Sequence, residues 1–133
     1  MIVVDTNIIS HLTIRCELTE LAEKAFQKDH WSAPILWRSE FRNVLATRLR
    51  LKLISLHNAL KLLTAAERLM WGREYTVRSE RVIDYASRST CSSYDCEFVV
   101  LADDLGTKLV TTDEAVIREF PKIAIHLRDF ART

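Results

Sequence analysis

Two short runs rich in β-branched residues, Ile2-Val3-Val4 and Leu109-Val110-Thr111-Thr112, each close on an aspartate, Asp5 and Asp113. An apolar run without polar alternation reads as a strand covered on both faces, the pattern of a parallel sheet. Between the two runs the periodicity changes to that of helices. Leu18, Leu21, Ala22, Ala25 and Phe26 recur as an amphipathic stripe that fades at Lys28-Asp29-His30. Trp31-Ser32-Ala33 offers a second short strand, and Pro34 suits the turn or first helical position after it. A long helix then runs to about Leu49. Leu56, Ala59, Leu60, Leu63, Ala66 and Met70 mark another, from a Ser55 cap to a Gly72 stop. A helix fits 79–89, and another opens at Ser92 or Ser93 and ends at Gly106. A strand over 108–112, a helix capped by Asp113 and stopped by Pro121, and a final strand over 123–127 complete the chain. Alternation of this kind predicts an α/β domain, a parallel sheet of four or five strands flanked by helices on both sides.

With 133 residues and 48% hydrophobic content, the expectation is one domain over 1–133. Lys and Arg total 19 against 18 for Asp and Glu, so only a local patch can attract nucleic acid or a membrane. Two Gly and two Pro leave no room for a flexible linker. Cys16, Cys91 and Cys96 form no CxxC pair, which argues against a disulfide framework or zinc knuckle and favours a reduced compartment. No apolar stretch approaches the ~20 residues of a bilayer span, and the start carries no basic leader. A soluble, cytoplasmic protein without a membrane partner is expected.

Asp5, Glu40, Asp95 and Asp113 carry the chemistry. Asp5 and Asp113 follow strands, and open α/β sheets bind ligands at the carboxyl ends of strands. Each also suits an ordinary helix cap. Glu40 shares a helix face with Leu36 and Val44, where an apolar residue is expected; a stripe shifted to Trp37, Phe41 and Leu45 would put it at the stripe's edge instead. Asp95 falls in the first turn of its helix behind Ser92-Ser93 and reads equally as a cap. Brought together, carboxylates repel by about 4 kcal/mol per pair at ~4 Å and an effective dielectric near 20, so protons or divalent cations must neutralise them.

The order strand-Asp, helix-Glu, helix-Asp, strand-Asp resembles the PIN-domain ribonucleases, in particular the small VapC-like toxins of toxin-antitoxin pairs. The residues that carry the likeness are Val4-Asp5-Thr6-Asn7, then Ser39-Glu40-Phe41-Arg42-Asn43-Val44-Leu45, then Ser93-Tyr94-Asp95 through Ala102, then Leu105-Gly106-Thr107 through Asp113. The resemblance implies that Asp5, Glu40, Asp95 and Asp113 bind Mg²⁺ or Mn²⁺ and are catalytic in cutting single-stranded RNA. It further implies a small antitoxin as partner and a homodimer, the latter through the apolar residues between Leu56 and Met70.

Carboxylates are hard oxygen donors suited to Mg²⁺ or Mn²⁺, whereas His11, His30, His57 and His126 are scattered without a zinc-binding pair. Thr6, Ser93 and Thr112 flank the acids and are candidates to orient a ligand or water, against ordinary capping and strand propensity. Arg38 and Arg42 lie within a turn of Glu40 and are the candidates for RNA phosphate contact, against a merely solvated helix face. Trp31, Trp37 and Trp71 are expected in the core or at a subunit contact rather than stacked on bases. Two other classes compete. One is a non-catalytic PIN-like module that binds RNA or protein and uses its acids as caps. The other is an aspartyl-phosphate phosphotransfer domain, for which Asp5-Thr6-Asn7 lacks a second Asp.

Overall fold

The first apolar run forms β1 (Ile2–Val4), and its three residues are all buried. In the computed structural model, which describes residues 1–133, it is the middle strand of the sheet. On one side lies β2 (Trp31–Pro34), with Ile2 opposite Trp31; on the other lies β4 (Leu109–Thr111), with Val4 opposite Val110. The edges are β3 (Glu74–Tyr75) beside β2 and β5 (Ala124–His126) beside β4. All four pairings are parallel, giving the order β3-β2-β1-β4-β5. Successive strand side chains point to opposite faces, so complete burial of β1, β2 and β4 requires cover on both.

Eight helices supply it: α1 (Thr6–Thr13), α2 (Thr19–Lys28), α3 (Trp37–Arg50), α4 (Leu56–Leu69), α5 (Ser79–Ser87), α6 (Ser93–Asp104), α7 (Glu114–Glu119) and α8 (Leu127–Arg132). α6 contributes the most buried residues, with Phe98, Val99, Val100, Leu101 and Ala102 among them, and packs against β1, β2 and β4. In α3 the buried stripe is Trp37, Phe41 and Leu45, while Leu36 and Val44 are only half-buried. Glu40 therefore stands at the stripe's edge. Trp31 and Trp37 are fully buried in the core, whereas Trp71 is 77% exposed and lies outside it. The stripe of α4 is divided too. Ala59, Ala66 and Met70 face the core, whereas Leu56 and Leu60 face solvent.

Three elements depart from the sequence expectation. α1 begins immediately after Asp5 and is too short for periodicity to reveal it. β3 has two residues, and α8 starts within the stretch expected to be strand, where the His126 side chain accepts a hydrogen bond from the Arg128 amide at 3.0 Å. No helix is long and apolar enough to cross a membrane.

The turn before β4 decides where the second aspartate lands. At the end of α6 the Thr107 amide donates to the Ala102 carbonyl at 2.9 Å and the Gly106 amide to the Asp103 carbonyl at 3.0 Å, a Schellman arrangement closed by Gly106 at φ +65°. A Cβ at Gly106 would meet nothing within 4 Å, so only backbone strain opposes substitution. Gly106→Ala is expected to lower the unfolding free energy by about 1–2 kcal/mol in urea titration, through the left-handed conformation alone. An unchanged midpoint would show that the turn relaxes.

Candidate active site

Because β1 and β4 are parallel neighbours, their carboxyl ends open on the same edge of the sheet, and the residues that follow them meet there. Asp5 is the N-cap of α1, its Oδ1 accepting from the Ile8 amide at 3.2 Å. Its Oδ2 accepts from the Thr111 hydroxyl. Thr111 Oγ1 in turn accepts from the Asp113 amide at 3.0 Å, so one side chain ties the two aspartates together. Asp113 caps α7, its Oδ1 accepting from the Ala115 and Val116 amides at 2.9 and 3.3 Å. Glu40 Oε1 accepts from the Thr6 hydroxyl at 2.6 Å. Asp95 lies in the first turn of α6, and its amide donates to the Ser92 hydroxyl at 3.1 Å.

All four acids line one cavity of about 460 Å³, shared with Thr6, Asn7, Ser39 and Asn43 and closed on its apolar side by Leu36, Val44, Phe98 and Val116. Electrostatics register their proximity. Burial pushes the Asp5 carboxyl up to about 6, with Glu40 and Asp113 adding to the rise against the hydrogen bonds from Thr111 and Ile8. Glu40 is raised by burial and by Asp95, and Asp95 by burial and by Asp113. The four do not form a ready-made cage, since no three His, Cys, Asp or Glu side chains stand close enough to hold an ion jointly. Their chemistry nevertheless fits Mg²⁺ or Mn²⁺. The donors are all carboxylate oxygens in one half-open cavity with no competing cation, and Mg²⁺ commonly keeps several waters and takes only one or two carboxylates.

The remaining candidates fall differently. Thr6 is bonded to Glu40, but Ser93 and Thr112 make no side-chain hydrogen bond; Ser92 caps α6, and Thr111 rather than Thr112 reaches Asp5. Strand alternation explains the second case. Thr111 is the next residue in register with Asp5, and Thr112 points the other way. Arg38 turns from the cavity and is held by Glu74, with contacts of 2.6 and 2.8 Å, and by Glu67 at 2.7 Å. That geometry corrects its assignment as a free phosphate contact. Arg42 is exposed and in no ion pair. Glu97, which sequence reasoning passed over, is raised by burial and by Glu40.

A carboxyl whose folded pKa exceeds its unfolded value binds protons more tightly when folded, so its penalty on stability appears as pH rises between the two values. For Asp5 that window runs from the usual 3.8 to about 6. In EDTA, wild type is therefore expected to lose stability relative to Asp5→Asn as pH is raised from 4 to 7, by denaturant titration at each pH. A difference that does not change with pH would rule out the desolvated carboxylate.

The comparisons agree with this architecture. Among solved structures, PAE2754 from Pyrobaculum aerophilum matches with a TM-score of 0.79 at 19% identity, over 98% of this chain and 93% of that one. FitAB bound to an IR36 DNA fragment matches with a TM-score of 0.72 at 17% identity, over 96% and 95% of the two chains. FitAcB from Neisseria gonorrhoeae matches at 0.73 and 15%, over 96% and 99%. No curated protein matches. The family model described as PIN domain matches residues 2–124, nearly the whole chain, and on that ground the protein belongs to the PIN domain family.

Proposed function

We propose that this protein is a Mg²⁺- or Mn²⁺-dependent endoribonuclease that cuts single-stranded or loop RNA, and that it is the toxin of a toxin-antitoxin pair. PIN domains are generally nucleases that use divalent metal ions. The observation that carries the reading is the convergence of Asp5, Glu40, Asp95 and Asp113, from four separate elements, on one cavity at the carboxyl ends of β1 and β4.

Asp5, Glu40, Asp95 and Asp113 would hold the ion. When bound, it supplies Lewis-acid chemistry, acidifying a water and offsetting charge on the phosphate. The chain's own groups do the rest. Thr6 fixes the rotamer of Glu40, and Thr111 with the Ile8 amide fixes that of Asp5, so neither carboxylate has to be ordered when a cation arrives. The α7 amides hold one oxygen of Asp113. Ser39, Asn7 and Asn43 give the cavity neutral donors for a phosphodiester, and the apolar wall of Leu36, Val44 and Phe98 thins the water around it. Asp5 keeps its proton up to about pH 6, so cation binding must displace that proton and tightens as pH rises through this range.

An antitoxin is the proposed partner, on the resemblance of the four acid-bearing blocks to the VapC-like toxins and on the membership of the PIN domain family. A homodimer is also proposed. Leu51, Leu53, Leu56 and Leu60, each more than half exposed around the α3–α4 turn, provide the apolar surface it needs. Three free thiols suit the reduced conditions of the cytosol. The alternative, a non-catalytic module, has in its favour that Asp5 and Asp113 cap helices and that no three acids are gathered closely.

Incubation of wild type and Asp5→Asn with unstructured RNA in Mg²⁺, Mn²⁺ or EDTA separates the two. Cleavage is expected in either cation only, and Asp5→Asn is expected to reduce it by at least about 100-fold, the scale of a lost electrostatic contact to the transition state. Mg²⁺ is also expected to raise the melting temperature of wild type, more at pH 7 than at pH 5, and to leave Asp5→Asn nearly unmoved. Identical behaviour of the two proteins in every condition would favour the non-catalytic module.

A further inference from the structure

Beyond the acid cavity lie two more hollows, and each shares wall residues with the next. Leu36 and Ser39 line both the acid cavity and a hollow of about 380 Å³ that also takes in Arg42 and Glu97. Arg38 lines both that hollow and one of about 420 Å³ bounded by Thr64, Glu67, Arg68 and Trp71. The three follow one another from the N-terminal turns of α3 to the C-terminal end of α4, each neighbouring pair sharing a wall.

The far end has the chemistry of a base platform. Trp71 is 77% exposed, while the other two tryptophans are wholly buried. An indole left in water beside a hollow offers an apolar face to which any base can stack. Arg68 stands in the same wall, and neither it nor Arg42 is in an ion pair. Arg38, between them, is outweighed by its two partners Glu67 and Glu74, so this cluster shapes the wall and adds one net negative charge to it. Glu97 offsets part of the charge of Arg42. Attraction along the three hollows therefore rests more on stacking than on Coulomb forces. A protein partner is the competing occupant, because Leu56 and Leu60 are exposed on the same helix, but they lie toward its other end and line none of the three hollows.

We propose that these hollows are one track for single-stranded RNA, in which Trp71 stacks an unpaired base at a distance from the acid cavity and Arg42 and Arg68 hold phosphates between. The proposal rests on the nuclease reading and adds to it a positioning residue remote from the chemistry.

The test uses the full chain with a dinucleotide and a longer oligouridylate. In EDTA the longer strand is expected to quench indole emission, because Trp71 is the tryptophan that solvent reaches. Trp71→Ala is expected to weaken its binding by about 5- to 150-fold, with Trp71→Phe and Trp71→Tyr retaining most of the affinity. The dependence of log affinity on log salt is expected to have a slope of about −1.4, two phosphates at about 0.7 each, halved in Arg68→Gln. In Mg²⁺, Trp71→Ala is expected to raise KM for the longer RNA at constant kcat and to leave dinucleotide cleavage unchanged. Equal affinity of Trp71→Ala and wild type would overturn the track, while cleavage that still depends on metal and on Asp5 would keep the nuclease reading. No cleavage by wild type under any cation would sink that reading, whatever the binding titration shows. A change in sedimentation mass for Trp71→Ala with unaltered RNA affinity would make this face a protein interface and overturn the track.

Discussion

The pairing of β1 with β4 is the constraint on which the rest depends. It joins residues 106 positions apart through the Thr111–Asp5 hydrogen bond and sets the two aspartate-bearing strand ends side by side. A carboxylate held there is poorly solvated, and its neighbours of like sign worsen its position. What makes the arrangement tolerable is that each acid also meets a local need. The Asp5 side chain gives the Ile8 amide of α1 a second acceptor beside the Asp5 carbonyl, and Asp113 satisfies two amides of α7. Capping and ligand roles are thus not rivals at these positions. Asp113 gives one oxygen to the helix and keeps the other for the cavity, while Asp5 divides its two between the Ile8 amide and the Thr111 hydroxyl.

The sequence discloses most where a feature is local and repeated. The β-branched runs before Asp5 and Asp113, the Ser55 cap of α4 and the glycine after α6 were all legible, because strand burial, capping and left-handed turns leave signatures within a few residues. Glu40 was legible as an anomaly, but its setting was not. Whether a helix turns Leu36 and Val44 or Trp37 and Phe41 inward depends on what it packs against, and two stripes so close in angle cannot be separated by hydropathy alone. Thr111 escaped notice because its partnership with Asp5 depends on strand order, which no local pattern records. The two-residue β3 and the start of α8 escaped because elements that short carry too few residues for any period.

Arg38 shows how a correct reading of residue type can fail on position. A basic residue within a turn of a catalytic-looking acid invites assignment to substrate. Here its guanidinium instead bridges α3, α4 and the edge strand, with the Trp37 indole donating to the same Glu74 carboxylate at 2.7 Å. Glu74 is 13% exposed, and its pKa is held below the usual range chiefly by the hydrogen bond from Arg38. A strand of two residues has little ladder of its own, so side chains anchor it. The same anchor steadies the first turn of α3, one residue from Ser39 and two from Glu40.

The parallel topology also bears on when the protein becomes competent. The middle of the sheet is completed by a strand contributed near residue 110, after all of β2, β3 and six helices have been made. Contacts so remote along the chain form slowly, because a long loop must close before they return any energy. During vectorial synthesis Asp5 precedes Thr111 by 106 residues, so their hydrogen bond waits on every element between them. Until β4 docks, the hollow that gathers the acids lacks the strand that brings Leu109 and Asp113 to its wall.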